Sequence, residues 1–170
     1  MVDRLAAGPL TAEPAAGPLA PGPLAAAWAA AATVPDPELP AVTIADLGIL
    51  RDVALRPDGT AEITITPTYS GCPAMLVITL DIERAMAAAG FPNAVVLTVL
   101  APAWTTDWLT PAAHRKLAEA GIAPPRRGPP TCPQCGSTVT GTISEFGATA
   151  CKALHRCLSC REPFEAFKCH

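Results

Sequence analysis

The sequence predicts an α/β (α+β) protein, with a small mixed sheet carrying helices on one face and a separate cysteine-rich unit at the C-terminus. Three observations predict it. Two strand-like runs flank Pro57-Asp58-Gly59, a tight-turn sequence. A helical stretch lies between the second of those runs and a further β-branched run, the pattern of a parallel crossover. Two Cys-x-x-Cys pairs, Cys132/Cys135 and Cys157/Cys160, follow a proline-rich connector.

Residues 1–23 contain eight Pro or Gly in an alanine background, so they are expected to be a disordered tail. Pro23 is suited to open a helix, and Leu24 to Ala32 are good helix formers around Trp28. The helix must stop before Val34-Pro35, because a residue preceding proline avoids the helical region. Residues 42–50 lead into a strand that runs to about Arg56. Ala61 to Thr66 alternates, with Ile63 and Ile65 on one face, as a half-buried strand does.

A second helix is predicted from Pro73 to about Ala89, capped by Gly90. Leu76, Val77, Leu80 and Met86 are its expected core side, and Asp81, Glu83 and Arg84 its outer side. Ala94 to Leu100 is continuously apolar and is expected to be a buried strand. Trp104 and Trp108 follow as packing anchors, then Thr110-Pro111 caps a short helix that carries His114 on its surface and ends at Gly121. Four prolines between Gly121 and Pro130 mark a linker. The expected units are thus 1–23 (tail), 24–102 (α/β body), 103–130 (helix and linker) and 131–170 (cysteine-rich domain).

Charge separates the two halves. Residues 1–110 hold four basic and eleven acidic residues, whereas residues 111–170 hold eight basic and four acidic. That excess is too small to call for nucleic acid. The N-terminus has no basic segment leading into an unbroken apolar run, and no stretch has the ~18 apolar residues of a membrane span. A cytoplasmic protein with neither nucleic acid nor membrane as partner is expected. In that compartment, clustered cysteines are metal ligands or reactive thiols before they are disulfides.

Cys72 stands apart from the other six cysteines, just ahead of Pro73. With Pro73 at the first helical position, Cys72 becomes the N-cap, where free amides and the helix dipole would lower its pKa and make a reactive thiolate. The competing reading is a small buried apolar residue at a helix start. In the C-terminal unit, the two Cys-x-x-Cys turns lie 21 residues apart and can present four sulfurs to one tetrahedral ion. Strand-sized segments at 138–143, 148–156 and 163–168 complete a zinc-ribbon pattern. About 40 residues bury too little apolar area to fold unaided, so a structural zinc would supply stability. A rubredoxin-like iron site and a disulfide pair are the alternatives. Cys151, His155, Cys169 and His170 are left over, as auxiliary ligands or as packing and terminal groups.

Asp36-Pro37-Glu38-Leu39-Pro40, Asp46-Leu47-Gly48-Ile49 and Thr68-Tyr69-Ser70-Gly71-Cys72-Pro73 resemble the MIP18 family (domain of unknown function 59) over about residues 25–102. The segments 143–157 and 162–169, with Trp104-Thr-Thr-Asp-Trp108, resemble its PaaD subgroup, which is associated with ring 1,2-phenylacetyl-CoA epoxidase. The resemblance implies an accessory, non-catalytic protein that matures or delivers iron or an iron–sulfur cluster. It makes Cys72 a transient ligand, with Asp36, Glu38 and Asp46 shaping the loop around it. It implies the oxygenase or the iron–sulfur reductase of that system as partners, and leaves a homodimer possible. In the subgroup Cys151 and Cys169 recur within the tail motifs, without an assigned role.

Overall fold

The computed structural model describes residues 21–169; the N-terminal tail to residue 20 and His170 lie outside the described residues. Helix α1 (Pro23–Ala32) begins on its proline and buries Ala27 and Ala31. Strand β1 (Leu50–Leu55) pairs antiparallel with β2 (Ala61–Ile65), and the register places Leu55 opposite Ala61. The turn between them works as its residues dictate. Gly59 takes a φ of 85°, Arg56 and Thr60 close the backbone at 2.9 Å, and Asp58 Oδ1 accepts the Thr60 N–H.

Helix α2 (Met75–Ala88) returns the chain so that β3 (Val95–Thr98) lies parallel to β2, giving a mixed sheet of order β1-β2-β3. α1 packs on β1 and α2, and α2 packs on β3. The core face of α2 differs from the sequence expectation. Ile78, Ile82 and Met86 are fully buried, whereas Leu76 is 70%, Val77 44% and Leu80 41% exposed. The helix carries two apolar stripes, and the stripe with strict four-residue spacing meets the sheet. β3 is likewise not buried: it is the sheet's edge, half-buried at Val95 and Val96, with Leu97 exposed. An apolar run cannot by itself distinguish a central strand from an edge.

After β3, Trp104 and Trp108 are both buried, as packing anchors. Trp104 donates its indole N–H to the Leu47 carbonyl at 2.9 Å. The Arg51 guanidinium lies 3.5 Å over the Trp108 ring. A short 3-10 turn (Thr106–Trp108) leads to α3 (Pro111–Glu119), whose Thr110 side chain accepts the Ala113 N–H, the cap expected from Thr-Pro.

The second sheet has order β4-β7-β6-β5. β5 (Thr140–Ser144), β6 (Lys152–Cys157) and β7 (Pro163–Phe167) are the three ribbon strands, with β6 antiparallel to both β5 and β7. β4 (Ile122–Ala123) comes from the proline-rich connector and pairs parallel with β7. The sheet is joined to the body at one end. Phe167 and Cys151 belong to the same buried cluster as Ile44, Leu47 and Ile78, and the Phe167 ring lies 6.0 Å from that of Trp104. No helix of the described residues is long and apolar enough to cross a membrane.

Candidate functional site

The four ribbon cysteines converge. Cys132 Sγ lies 3.7 Å from Cys160 Sγ, and Cys135 Sγ lies 3.6 Å from Cys157 Sγ. All four sulfurs fall within 4.8 Å of one another. Two thiolates each ~2.3 Å from an ion at the tetrahedral angle stand about 3.8 Å apart, so the spacing fits a four-sulfur metal site. Each Cys-x-x-Cys turn is closed by backbone bonds that fold back on it, Gly136 N–H to the Cys132 carbonyl and Arg161 N–H to the Cys157 carbonyl. Gly136 and Arg161 both adopt positive φ there.

The thiols differ in electrostatics. The Cys160 N–H points at the Cys157 sulfur at 3.5 Å and, with other donors, lowers the pKa of that thiol to about 6. At Cys160 the Glu162 N–H pulls downward, but desolvation and the neighbouring thiols outweigh it and push the group up to about 12. Four sulfurs so close cannot all ionise without a cation between them, and a bound dication reverses that repulsion. His155 does not join them. It is half-buried, stacks on Phe164 at 5.8 Å, and is held toward its neutral form by burial. Cys169 is exposed, 3.5 Å from Thr106 Oγ1, in a cleft of about 600 Å³ that also includes Arg126, Arg127 and Lys168.

Cys72 occupies a different environment. It is not the N-cap: α2 starts at Met75 with Ala74 as its cap, and Cys72 sits in the preceding turn, its N–H donating to the Tyr69 carbonyl at 3.2 Å. Nor is its pKa lowered. Burial raises it, the Ala74 N–H directed at the sulfur partly offsets that, and Glu38, Asp36 and Cys151 raise it further. The amide effect expected at a helix start is present, but desolvation and nearby negative charge exceed it. Cys72 is thus a half-buried thiol held toward its protonated form by burial, with the charges of Glu38 and Asp36 acting in the same direction.

Those carboxylates are placed by the Asp-Pro-Glu-Leu-Pro segment. Asp36 is only 6% exposed, and its Oδ1 accepts the N–H groups of Glu38 (2.9 Å) and Leu39 (2.8 Å). This turn fixes the backbone that carries Glu38. Burial raises the pKa of Asp36, and burial followed by the Asp36 charge raises that of Glu38. Asp46 serves another purpose. Its Oδ2 accepts the Thr43 N–H and pairs with Lys116 Nζ at 2.5 Å, and its carbonyl accepts the Thr110 N–H, tying α3 to the loop before β1.

The comparisons with known proteins match the chain in two stretches. Residues 24–97 match the family model "Iron-sulfur cluster assembly protein", and residues 124–168 match "PaaD zinc beta ribbon domain". An Escherichia coli (strain K12) protein, provisionally named as the D component of 1,2-phenylacetyl-CoA epoxidase, is 52% identical over 144 residues, which is 80% of this chain and 87% of that one. The chain belongs to the family of phenylacetyl-CoA epoxidase D subunits.

The body of this D-subunit family member also has relatives of its own. The Fe-S protein maturation auxiliary factor YitW of Bacillus subtilis (strain 168) is 39% identical over 75 residues, covering 44% of this chain and 72% of that one. The solved structure of a domain of unknown function DUF59 from Bacillus anthracis superposes with a TM-score of 0.50 at 30% identity, covering 54% of this chain and 87% of that one. What sequence reasoning missed in this D-subunit family member is spatial. Cys151 of the ribbon and Tyr69 are both electrostatically coupled to Cys72, although 79 residues separate the two cysteines. No local spacing signals that coupling.

Proposed function

We propose that this protein is an accessory, non-catalytic member of the phenylacetyl-CoA epoxidase system that accepts iron or an iron–sulfur unit on Cys72 and passes it to the oxygenase or to its iron–sulfur reductase. The observation that carries this is a half-buried thiol in the turn before α2, set against the core with its proton favoured by burial and by the charges of Glu38 and Asp36. Both carboxylates disfavour a bare thiolate and favour an arriving cation. Cargo binding would therefore release the thiol proton, and release of the cargo would restore it. A donor that is protonated when empty suits transient loading better than permanent coordination. The names of the relatives agree, one an epoxidase component and one an Fe–S maturation factor.

In this reading residues 24–102 carry the cargo site, 103–130 connect, and 131–170 dock to the client in the cytoplasm. The ribbon thiols Cys132, Cys135, Cys157 and Cys160 hold a structural zinc. Four thiolates close a tetrahedral ion and leave no position for chemistry, so zinc would supply stability there and nothing more. The test is Cys72→Ser in cells that degrade phenylacetate and lack their own copy. Epoxidase activity and the iron content of the oxygenase and reductase should fall while the variant keeps its zinc. Equal support by both proteins would leave a purely structural role.

A further inference from the structure

The proline-rich connector carries positive charge to the ribbon. Parallel pairing of β4 with β7 aligns Ala123 with Ala166, so the residues after Ala123 run beside the residues after Ala166. Arg126 and Arg127 thereby meet Lys168 on the walls of the cleft of about 600 Å³. Neutral groups position two of these cations. Arg126 Nη1 donates to Thr131 Oγ1 at 2.6 Å, and Lys168 Nζ lies 4.2 Å over the Phe146 ring. The ion pairs among the described residues are Arg56–Glu62, Arg84–Asp81, Lys116–Asp46 and Lys152–Glu165, so none of them neutralises Arg126, Arg127 or Lys168. Glu145 is the one acidic side chain among the described residues of the walls, and the cleft keeps a positive excess.

The floor of the cleft is apolar. Ala153 on β6 and Ala166 on β7 are direct cross-strand partners, so both methyls project from one face of the sheet. Both are buried. Alternation along β6 puts His155 on that face as well, where its ring stacks on Phe164. Two methyls next to two rings leave a hollow, and His155, held toward its neutral form by burial, borders it as a flat uncharged group.

We propose that this cleft binds an organic phosphate, a small molecule whose phosphate or diphosphate sits among Arg126, Arg127 and Lys168 with its apolar part over the alanine floor. Planar guanidinium groups match phosphate oxygens two at a time, and the lysine adds a point charge. A single carboxylate would leave most of the positive charge unmatched. The volume of about 600 Å³ is that of a small-molecule pocket, which spans roughly 300–1,000 Å³. This site goes beyond the iron-delivery reading and does not rest on it, since Cys72 is not on the walls of the cleft.

Full-length zinc-loaded protein, titrated at physiological ionic strength and followed by amide NMR shifts, tests this. The probes are phenyl phosphate and ADP, each beside its inorganic counterpart, phosphate and pyrophosphate. The organic phosphates should bind about tenfold tighter than their counterparts, because a ring over the floor adds apolar burial. Amides of Ala153, Lys168 and Cys169 should shift together to saturation, and those of α2 should stay in place. Arg127→Gln and Lys168→Gln should each weaken binding by at least about tenfold, the scale of a lost charge-assisted hydrogen bond. Arg84→Gln, at an exposed arginine on α2, should match wild type, and retained zinc checks that each variant is folded. Equal weakening by Arg84→Gln would reduce the effect to net charge and overturn the proposal. So would inorganic anions binding as tightly as the organic ones, or no saturable shift with any probe. Displacement of ADP by a tighter-binding hexaglutamate peptide would make the cleft a protein-docking groove and overturn it too. Each of these failures leaves the Cys72 reading intact, because that reading is tested separately by Cys72→Ser.

Discussion

The tilted ring pair of Trp104 and Phe167, 6.0 Å between centroids at 50°, joins the α/β body to the last strand of the ribbon. Trp104 also donates to Leu47, so one side chain holds the connector, the loop before β1 and β7 together. Trp104→Ala should cost about 3–5 kcal/mol, the range for emptying a buried aromatic site. Urea unfolding followed by circular dichroism checks the magnitude. A loss confined to the ribbon's amide protection, seen by hydrogen exchange, would show that Trp104 holds the ribbon and not the body.

Removing the ribbon metal should melt β5 to β7 selectively. The second buried cluster is small, essentially Ala123, Cys132, Cys157, Phe164 and Ala166, and two of its members are thiols of the metal set. Treatment with a strong chelator, or Cys132→Ser, should lose one equivalent of metal together with the β-signal. The Trp fluorescence should shift because Phe167 leaves Trp104. An α/β body that unfolds in the same transition would contradict this separation.

Gly48 has φ of 68°, and a Cβ there would lie 2.6 Å from Trp108 Cβ and 2.8 Å from the Trp108 carbonyl oxygen. Backbone and buried side-chain stem both block it. Gly48→Ala should lose at least about 1–2 kcal/mol from the left-handed backbone alone, with the clash added to that. Thermal melts of the two proteins measure it. Unchanged stability would mean that the Trp108 segment moves freely, against its burial.

Thiol chemistry at Cys72 should run late in pH. Burial and the charges of Glu38 and Asp36 hold the thiol protonated, so its folded pKa is raised above the unfolded value. The sign follows: the folded state keeps the proton longer, so any stability tied to this group is present below the unfolded pKa and is lost as pH rises through the folded one. Iodoacetamide alkylation of zinc-loaded protein should be slower at Cys72 than at exposed Cys169 near neutral pH, and should rise only at alkaline pH. Glu38→Gln removes one of the raising charges and should shift that rise downward. Fast alkylation of Cys72 at neutral pH would contradict its environment.

The sequence alone was enough for β1 and β2 with the Pro57-Asp58-Gly59 turn between them, the Thr110 cap and the four-sulfur set, because each rests on residues close together in the chain or on two short turns with a fixed bite, whereas the edge position of β3 and the pairing of β4 from the expected linker were not legible. It did not show which stripe of α2 is buried. Leu76, Val77 and Leu80 are as apolar as Ile78 and Ile82, and only the position of the sheet separates them. It left Cys72 between a low-pKa thiolate at a helix start and a small buried residue, and only the tertiary structure shows that burial, with two carboxylates 34 and 36 residues upstream and a helix that starts later, raises its pKa. The placement of Cys151 against the body was decided by tertiary structure alone. Contacts between distant segments are set by how two cores close on each other, here through Phe167 and Trp104, and no local pattern encodes that closure.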